Sequence, residues 1–183
     1  MKDTFQFQDT FYQYVDASPN QTRVNERRAE LPLALDYLDS FKGKSVLEVG
    51  NVLRHYIPKG QCTHDVVDLY EKNPNFPEII NEDILTWTPE KKYDTVISVS
   101  TVEHTDNPLL AVQRICSMAP HVFITIPFGY AKVNEIFDAY PQLAFIKRVN
   151  QDNDWREATR EEVKDTQYNT PFQFANAIMI LKI

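Results

Sequence analysis

The chain has 183 residues, carries a net charge of −7, and is 43% hydrophobic and 12% aromatic. That length and apolar content suit one globular domain with a sizeable core and exclude a disordered chain. The acidic balance offers no electrostatic footprint for a polynucleotide or an anionic membrane surface, so neither is expected as a partner.

The opening MKDTFQFQDT has no apolar leader core, and no run approaches membrane-spanning length; a soluble, cytoplasmic protein is expected. Cys62 and Cys116 make no metal-ligand pattern and read as free thiols in a reducing compartment, with no metal site. Residues 1–21 carry Phe5, Phe7, Phe11, Tyr12 and Tyr14 without a clean period. They read as a loosely packed N-terminal arm or, alternatively, as a flap over the mouth of a site. Residues 22–41 read as a helix with Thr22 as N-cap and Gly43 as terminator. Pro32 inside it predicts a kink, or two helices joined near Leu31. Leu31, Leu35 and Leu38 share one face and are expected to pack on a sheet. Arg23, Arg27 and Arg28 near its start suit a solvated face or contacts to a phosphate-bearing acceptor.

Two short apolar runs follow, Val46-Leu47-Glu48-Val49 and Val66-Val67-Asp68-Leu69. Both read as buried strands, too far apart for a hairpin and therefore parallel. The segment between them is broken by Pro58 and Gly60, and the one after Asp68 by Pro74 and Pro77. One sheet face must then rely on helix 22–41, unless a homodimer interface shares the burden. Residues 78–81 read as a third strand and 93–100 as a fourth. Asn107 and Pro108 supply an N-cap and N1 proline for a helix with Leu109, Val112 and Cys116 on its buried stripe, ending before Pro120. A fifth strand at 121–126 runs into Pro127-Phe128-Gly129, and a helix is expected over 131–139. Residues 143–149 and 174–183 read as two further strands joined by a polar loop, 150–171. The predicted fold is α/β: a Rossmann-like, mostly parallel seven-stranded sheet with an antiparallel C-terminal strand pair and helices on both faces. It forms one domain, with an arm (1–21), a packing helix (22–41), a core (45–130) and the terminal pair with its loop (143–183).

Polar residues cluster at four strand ends: Glu48, Gly50 and Asn51; Asp68; Glu82 and Asp83; and Ser100, Glu103 and His104. Ligands of open parallel sheets bind beyond these carboxyl ends. Gly50 sits where bare backbone can approach a nucleotide, and Asp68 where a carboxylate can accept from a ribose diol. Singly, each residue also has a local role available: Asp68 as a turn cap, Asp83 as a turn residue, His104 as a neighbour of the next helix.

Together, VLEVG, VVDLYE, NEDIL and YDTVISVSTVEH resemble the four motifs of the class I S-adenosylmethionine-dependent methyltransferases, over residues 45–130. The resemblance implies S-adenosyl-L-methionine as cofactor and a small-molecule methyl acceptor. Glu48, Gly50 and Asn51 would receive its methionine part, and Asp68 and Leu69 its ribose. Asp83 and Ile84 would meet its adenine, and Ser100 would close the pocket. Glu103 and His104 would face the acceptor, and a hydroxyl acceptor would need His104 as a base; otherwise His104 shapes the pocket. The family's turn is Gly-x-Gly-x-Gly, whereas here the positions are Gly50, Val52 and Arg54. Either Asn51 makes a side-chain contact in exchange or the methionine end sits differently. The thinned turn also fits a catalytically inactive binding module. A nicotinamide-dependent oxidoreductase needs G-x-G-x-x-G, which Gly50, Val52 and His55 do not supply.

Overall fold

The computed structural model describes residues 2–16, 23–57, 63–70 and 78–183. Strands β1 (Thr4–Phe7) and β2 (Thr10–Gln13) form an N-terminal hairpin. The main sheet comprises β3 (Val46–Val49), β4 (Asp65–Val67), β5 (Thr95–Val99), β6 (His121–Pro127), β7 (Ala144–Arg148), β8 (Trp155–Ala158) and β9 (Ala177–Lys182). Their order is β4-β3-β5-β6-β9-β7-β8. The first four run parallel, β9 lies antiparallel between β6 and β7, and β8 pairs antiparallel with β7. Every residue of β3 and β5 is buried, as continuous apolar strands in a doubly covered sheet must be.

Helices α1 (Arg27–Asp39), α2 (Pro108–Met118), α3 (Asn134–Ala139) and α4 (Arg160–Val163) cover the two faces unequally. Alternate strand residues divide the core. Val96, Val122, Ile124 and Met179 meet Val112 and Ile115 of α2 and Ile136 of α3 on one face. Ile97, Val99, Phe123 and Ile178 meet Ala29, Leu31, Ala34 and Tyr37 of α1 on the other. Among the described residues α1 is the one α-helix on that second face, as the sequence required. None of the described helices is long and apolar enough to cross a membrane.

Several expectations change, beginning with the arm. Over the described residues 2–16 the arm is packed, neither loose nor a flap: Phe5 and Phe7 are buried, and Phe5 stacks on Tyr12 and Tyr14 at centroid distances of 5.7 and 5.0 Å. Arg28 locks it down. This buried guanidinium sits 3.8 Å above the Tyr14 ring and donates to Asp16 Oδ1 (3.0 Å), to the Lys2 carbonyl (2.9 Å) and to the Asn153 carbonyl (2.8 Å). The hairpin therefore packs against α1 and β8, with no part of it in the cavity described below.

Helix α1 runs unbroken through Pro32. A proline removes the N–H that would meet the carbonyl four residues back; that carbonyl, on Arg28, accepts from Val15 N instead (3.2 Å). The N-cap assigned to Thr22 lies outside the described residues. The buried stripe is also rotated: Leu31 is fully buried, but Leu35 and Leu38 are only partly so, while Glu30, Ala34 and Tyr37 face the sheet. A helix sandwiched between sheet and hairpin has more than one apolar face, which a single-stripe reading misplaces.

In the last third, the loop expected at 150–171 contains both β8 and α4, so three strands rather than two complete the sheet. The third strand expected at 78–81 contributes a single parallel bridge, Ile80 to Val67. The total of seven strands stands, with β8 at the far edge in place of 78–81. Helix α2 begins as read, with Asn107 Oδ1 accepting from Leu110 N (3.0 Å) and Pro108 at N1. Its buried residues are Pro108, Ala111, Val112 and Ile115; Leu109 and Cys116 flank them.

Leu31 is entirely buried and Leu35 is not, so the two report the packing of α1 directly. Leu31→Ala is expected to destabilise the protein by about 2–5 kcal/mol and Leu35→Ala by clearly less, measured as the shift in urea midpoint at constant m-value. Equal losses would place the helix in the orientation that the leucine stripe alone suggests.

Candidate active site

The carboxyl ends of β3, β4 and β5 open into one cavity of about 440 Å³. It is lined by Gly50, Asn51, Asp68, Leu69, Asp83, Ile84, Ser100 and His104, so one site gathers eight of the ten residues singled out from the sequence.

Glu48 is one of the two that do not line it. It is fully buried, and both its oxygens are engaged within the chain. Oε1 accepts from Val52 N (2.7 Å) and Leu53 N (2.5 Å), and Oε2 faces His64 Nε2 at 2.7 Å. Its position makes it the anchor of the turn, not a ligand contact. The turn needs Gly50 for two reasons. Its φ of +85° is one that side chains disfavour, and an added Cβ would overlap the Thr101 side chain. Gly50 N donates to Val67 O (2.8 Å), tying the end of β3 to the end of β4.

Asp68 continues that tie. Its Oδ2 accepts from Asn51 N (3.0 Å) and its Oδ1 from Tyr70 N (2.9 Å), which fixes the carboxylate at the cavity wall. The turn-cap role and the cavity role thus belong to the same side chain. Asp83 also has both: Oδ1 accepts from Leu85 N (2.9 Å) within a turn, and the residue lines the cavity beside buried Ile84. Asn51 is only 7% exposed, and its Oδ1 has no hydrogen-bond partner among the described residues.

At the end of β5, Ser100 takes a positive φ of 40° and donates its hydroxyl to Glu30 Oε1 (2.6 Å). Arg27 reaches the same point from α1, with Nη1 on Glu30 Oε2 (3.1 Å) and Nη2 on the Ser100 carbonyl (3.4 Å). Burial pushes the Glu30 carboxyl above the usual range, and the Arg27 charge opposes this. The sequence left Arg23, Arg27 and Arg28 as one group, and the fold separates them. Arg27 enters the cavity wall, Arg28 is buried under the hairpin, and Arg23 stays exposed beside Asp16. Glu30 gave no sequence signal beyond its place in a charged helix.

Glu103 and His104 part company as well. The Glu103 side chain is 2% exposed and does not line the cavity, and its Oε2 has no partner among the described residues. Burial first, then the nearby carboxyls of Glu30 and Glu26, push its pKa up to about 8, against its own backbone hydrogen bond and the charge of Arg27. The His104 ring is largely exposed and lines the cavity. Loss of hydration, followed by the charges of Arg27 and Lys132, holds its pKa below the ordinary imidazole value, so it is neutral near pH 7. The two side chains stand 3.6 Å apart (Nε2 to Oε1), beyond a direct hydrogen bond.

No protein-family model matches this sequence, and no curated protein is significantly similar to it. Its structure is similar to the N-methyltransferase NodS from Bradyrhizobium japonicum, solved with S-adenosyl-L-homocysteine. The TM-score is 0.51 and the identity 12%, over 85% of this chain and 86% of that one. An S-adenosylmethionine-dependent methyltransferase from Thermotoga maritima matches at 0.48 and 9% identity, over 83% and 86% of the two chains. Magnesium protoporphyrin IX methyltransferase from Synechocystis, with S-adenosylmethionine bound, matches at 0.45 and 14%, over 80% and 73%. The chain has the class I methyltransferase fold.

The buried state of Glu103 makes stability depend on pH. Folded, it keeps its proton up to about pH 8, while its ordinary value is 4.5. Between those values the folded chain binds more protons than the unfolded one, so stability falls as pH rises across that window. Glu30 contributes with the same sign. Glu103→Gln is therefore expected to flatten the fall in Tm between about pH 5 and about pH 8 relative to wild type. Parallel melting curves across that range would place the Glu103 carboxyl in water.

Proposed function

We propose that this chain transfers a methyl group from S-adenosyl-L-methionine to a small-molecule hydroxyl or amine. The observation that carries the reading is the cavity itself, where Asp68 at the tip of β4 is hydrogen-bonded back to the turn that Gly50 opens at the tip of β3. The residues fit the cofactor on two counts: Asp68 presents a carboxylate at the cavity wall, and Asn51, next to Gly50, holds an orphaned buried amide oxygen. Asp68 would take the ribose hydroxyls, Asp83 and Ile84 would flank the adenine, and the turn at Gly50 and Asn51 would receive the methionine part.

When bound, the cofactor supplies an electrophilic methyl on a sulfonium, so the protein's task is chiefly to hold and orient. The walls built on β3, β4 and β5 provide a rigid frame for that alignment. His104, neutral and exposed in the cavity, would accept the proton an acceptor O–H or N–H gives up. Glu103 lies behind it, protonated and 3.6 Å away.

Titration calorimetry with S-adenosylmethionine, S-adenosylhomocysteine and NAD, followed by a turnover assay on candidate acceptors, tests the reading. Binding of the first two alone is expected. Binding without turnover on any acceptor would favour a module that keeps the site and has lost the transfer. Asp68→Ala is expected to weaken S-adenosylhomocysteine binding by about 1–3 kcal/mol; an unchanged dissociation constant in a folded variant removes Asp68 from the site. His104→Ala is expected to lower kcat far more than it changes cofactor affinity, and full turnover in that variant would leave His104 a wall residue.

A further inference from the structure

A second pocket, of about 280 Å³, lies between the N-terminal hairpin, α1 and the second face of the sheet. It shares no residue with the cavity at the strand tips and sits toward the other end of the sheet. Ala144, which opens β7, lines it, as does Lys182, which pairs with Phe123 in the first half of β6. Its floor is apolar and buried, built from Phe7 of the hairpin, Leu33 and Tyr37 of α1, and Phe123 and Ile180 of the sheet. The volume falls just under the usual range of small-molecule sites, about 300–1,000 Å³, so it suits a ligand of few atoms better than a nucleotide.

The mouth carries one charge of each sign. Lys182 Nζ stands 5.7 Å from the centroid of the Tyr37 ring, which keeps the ammonium over the floor. Asp36 lines the pocket from α1, with Oδ2 accepting from Tyr12 Oη (3.3 Å). Both residues are exposed, and neither is ion-paired among the described residues. Gln8 lines the pocket too, at a φ of +51° where glycine is the favoured residue. A turn that holds a longer side chain in that conformation carries strain, and such strain gathers at ligand contacts.

A buried aromatic floor under a carboxylate and an ammonium is complementary to a zwitterion with an apolar side chain. We infer that the pocket binds a free α-amino acid of that kind, distinct from both the cofactor and the methyl acceptor. Asp36 takes its ammonium, Lys182 its carboxylate, and the floor its side chain. The hairpin is therefore a wall of a second site as well as a cover for α1.

Calorimetry on the full chain tests this with L-leucine and L-phenylalanine, and with phenethylamine and 3-phenylpropionate, which lack the carboxylate and the ammonium in turn. Both amino acids are expected to bind, and each phenylalanine analogue at least about tenfold less tightly than phenylalanine. Asp36→Asn and Lys182→Met should each weaken binding of the amino acids about tenfold or more; as exposed substitutions they leave the fold intact. Binding is also expected to persist beside saturating S-adenosylhomocysteine. Failure of both amino acids to bind at millimolar concentration overturns the inference, as does binding of the analogues as tight as that of phenylalanine. So does an affinity unaltered in both variants, or displacement by S-adenosylhomocysteine, which would move the amino acid to the strand-tip cavity.

Discussion

A carboxylate sealed from water at the end of a central strand sets the terms for the site. Glu48 has no exposed surface, so each of its oxygens must be satisfied by the chain itself. That demand bends the backbone after β3 until Val52 N and Leu53 N point back at Oε1, and it holds His64 against Oε2 just before β4 begins. The turn so formed has room only for glycine at position 50, and it presents Asn51 N to Asp68. The turn that forms one wall of the cavity thus rests on one buried carboxyl finding its partners.

Helix α1 connects that cavity to the stability of the domain. Neighbouring residues on it look opposite ways. Arg28 gathers the N-terminal hairpin and the turn before β8, while Arg27 and Glu30 reach the end of β5. Pro32 suits this arrangement because the carbonyl it frees on Arg28 gives the chain after the hairpin a place to attach. An element that covers one face of the sheet nearly alone also furnishes part of the site wall. Its displacement would therefore disturb the fold and the cavity together.

Asp68, Glu82 and Asp83 line the cavity on the β4 side, and Arg27, the neutral His104 and Asp106 line it beside β5. Behind the second group lie buried carboxyls of Glu30 and Glu103, raised toward their neutral forms by the lack of water. Near pH 7 a neutral His104 therefore stands in front of a protonated Glu103.

The local signals in the sequence determined much of this protein. The apolar runs at 46–49, 93–100 and 121–126 read as buried strands, Asn107 and Pro108 read as a helix start, and polar residues at the strand ends marked the cavity rim. Those features depend on neighbours a few residues away, and a linear pattern records them. Other features were also written locally but weakly. Phe5 and Phe7 alternate across a hairpin whose turn at Gln8 and Asp9 lacks the usual glycine, and Thr159 and Glu162 form a capping box inside what reads as a polar loop. What only the tertiary structure decided is the partnership of charges far apart in the chain: Glu30 with Ser100, Arg28 with Asn153, Arg27 with the cavity, and Glu48 with its own turn. A carboxylate reads the same in sequence whether it faces a ligand, a backbone amide or nothing. Burial and the direction of approach separate those roles, and both are set by how the helices and strands pack.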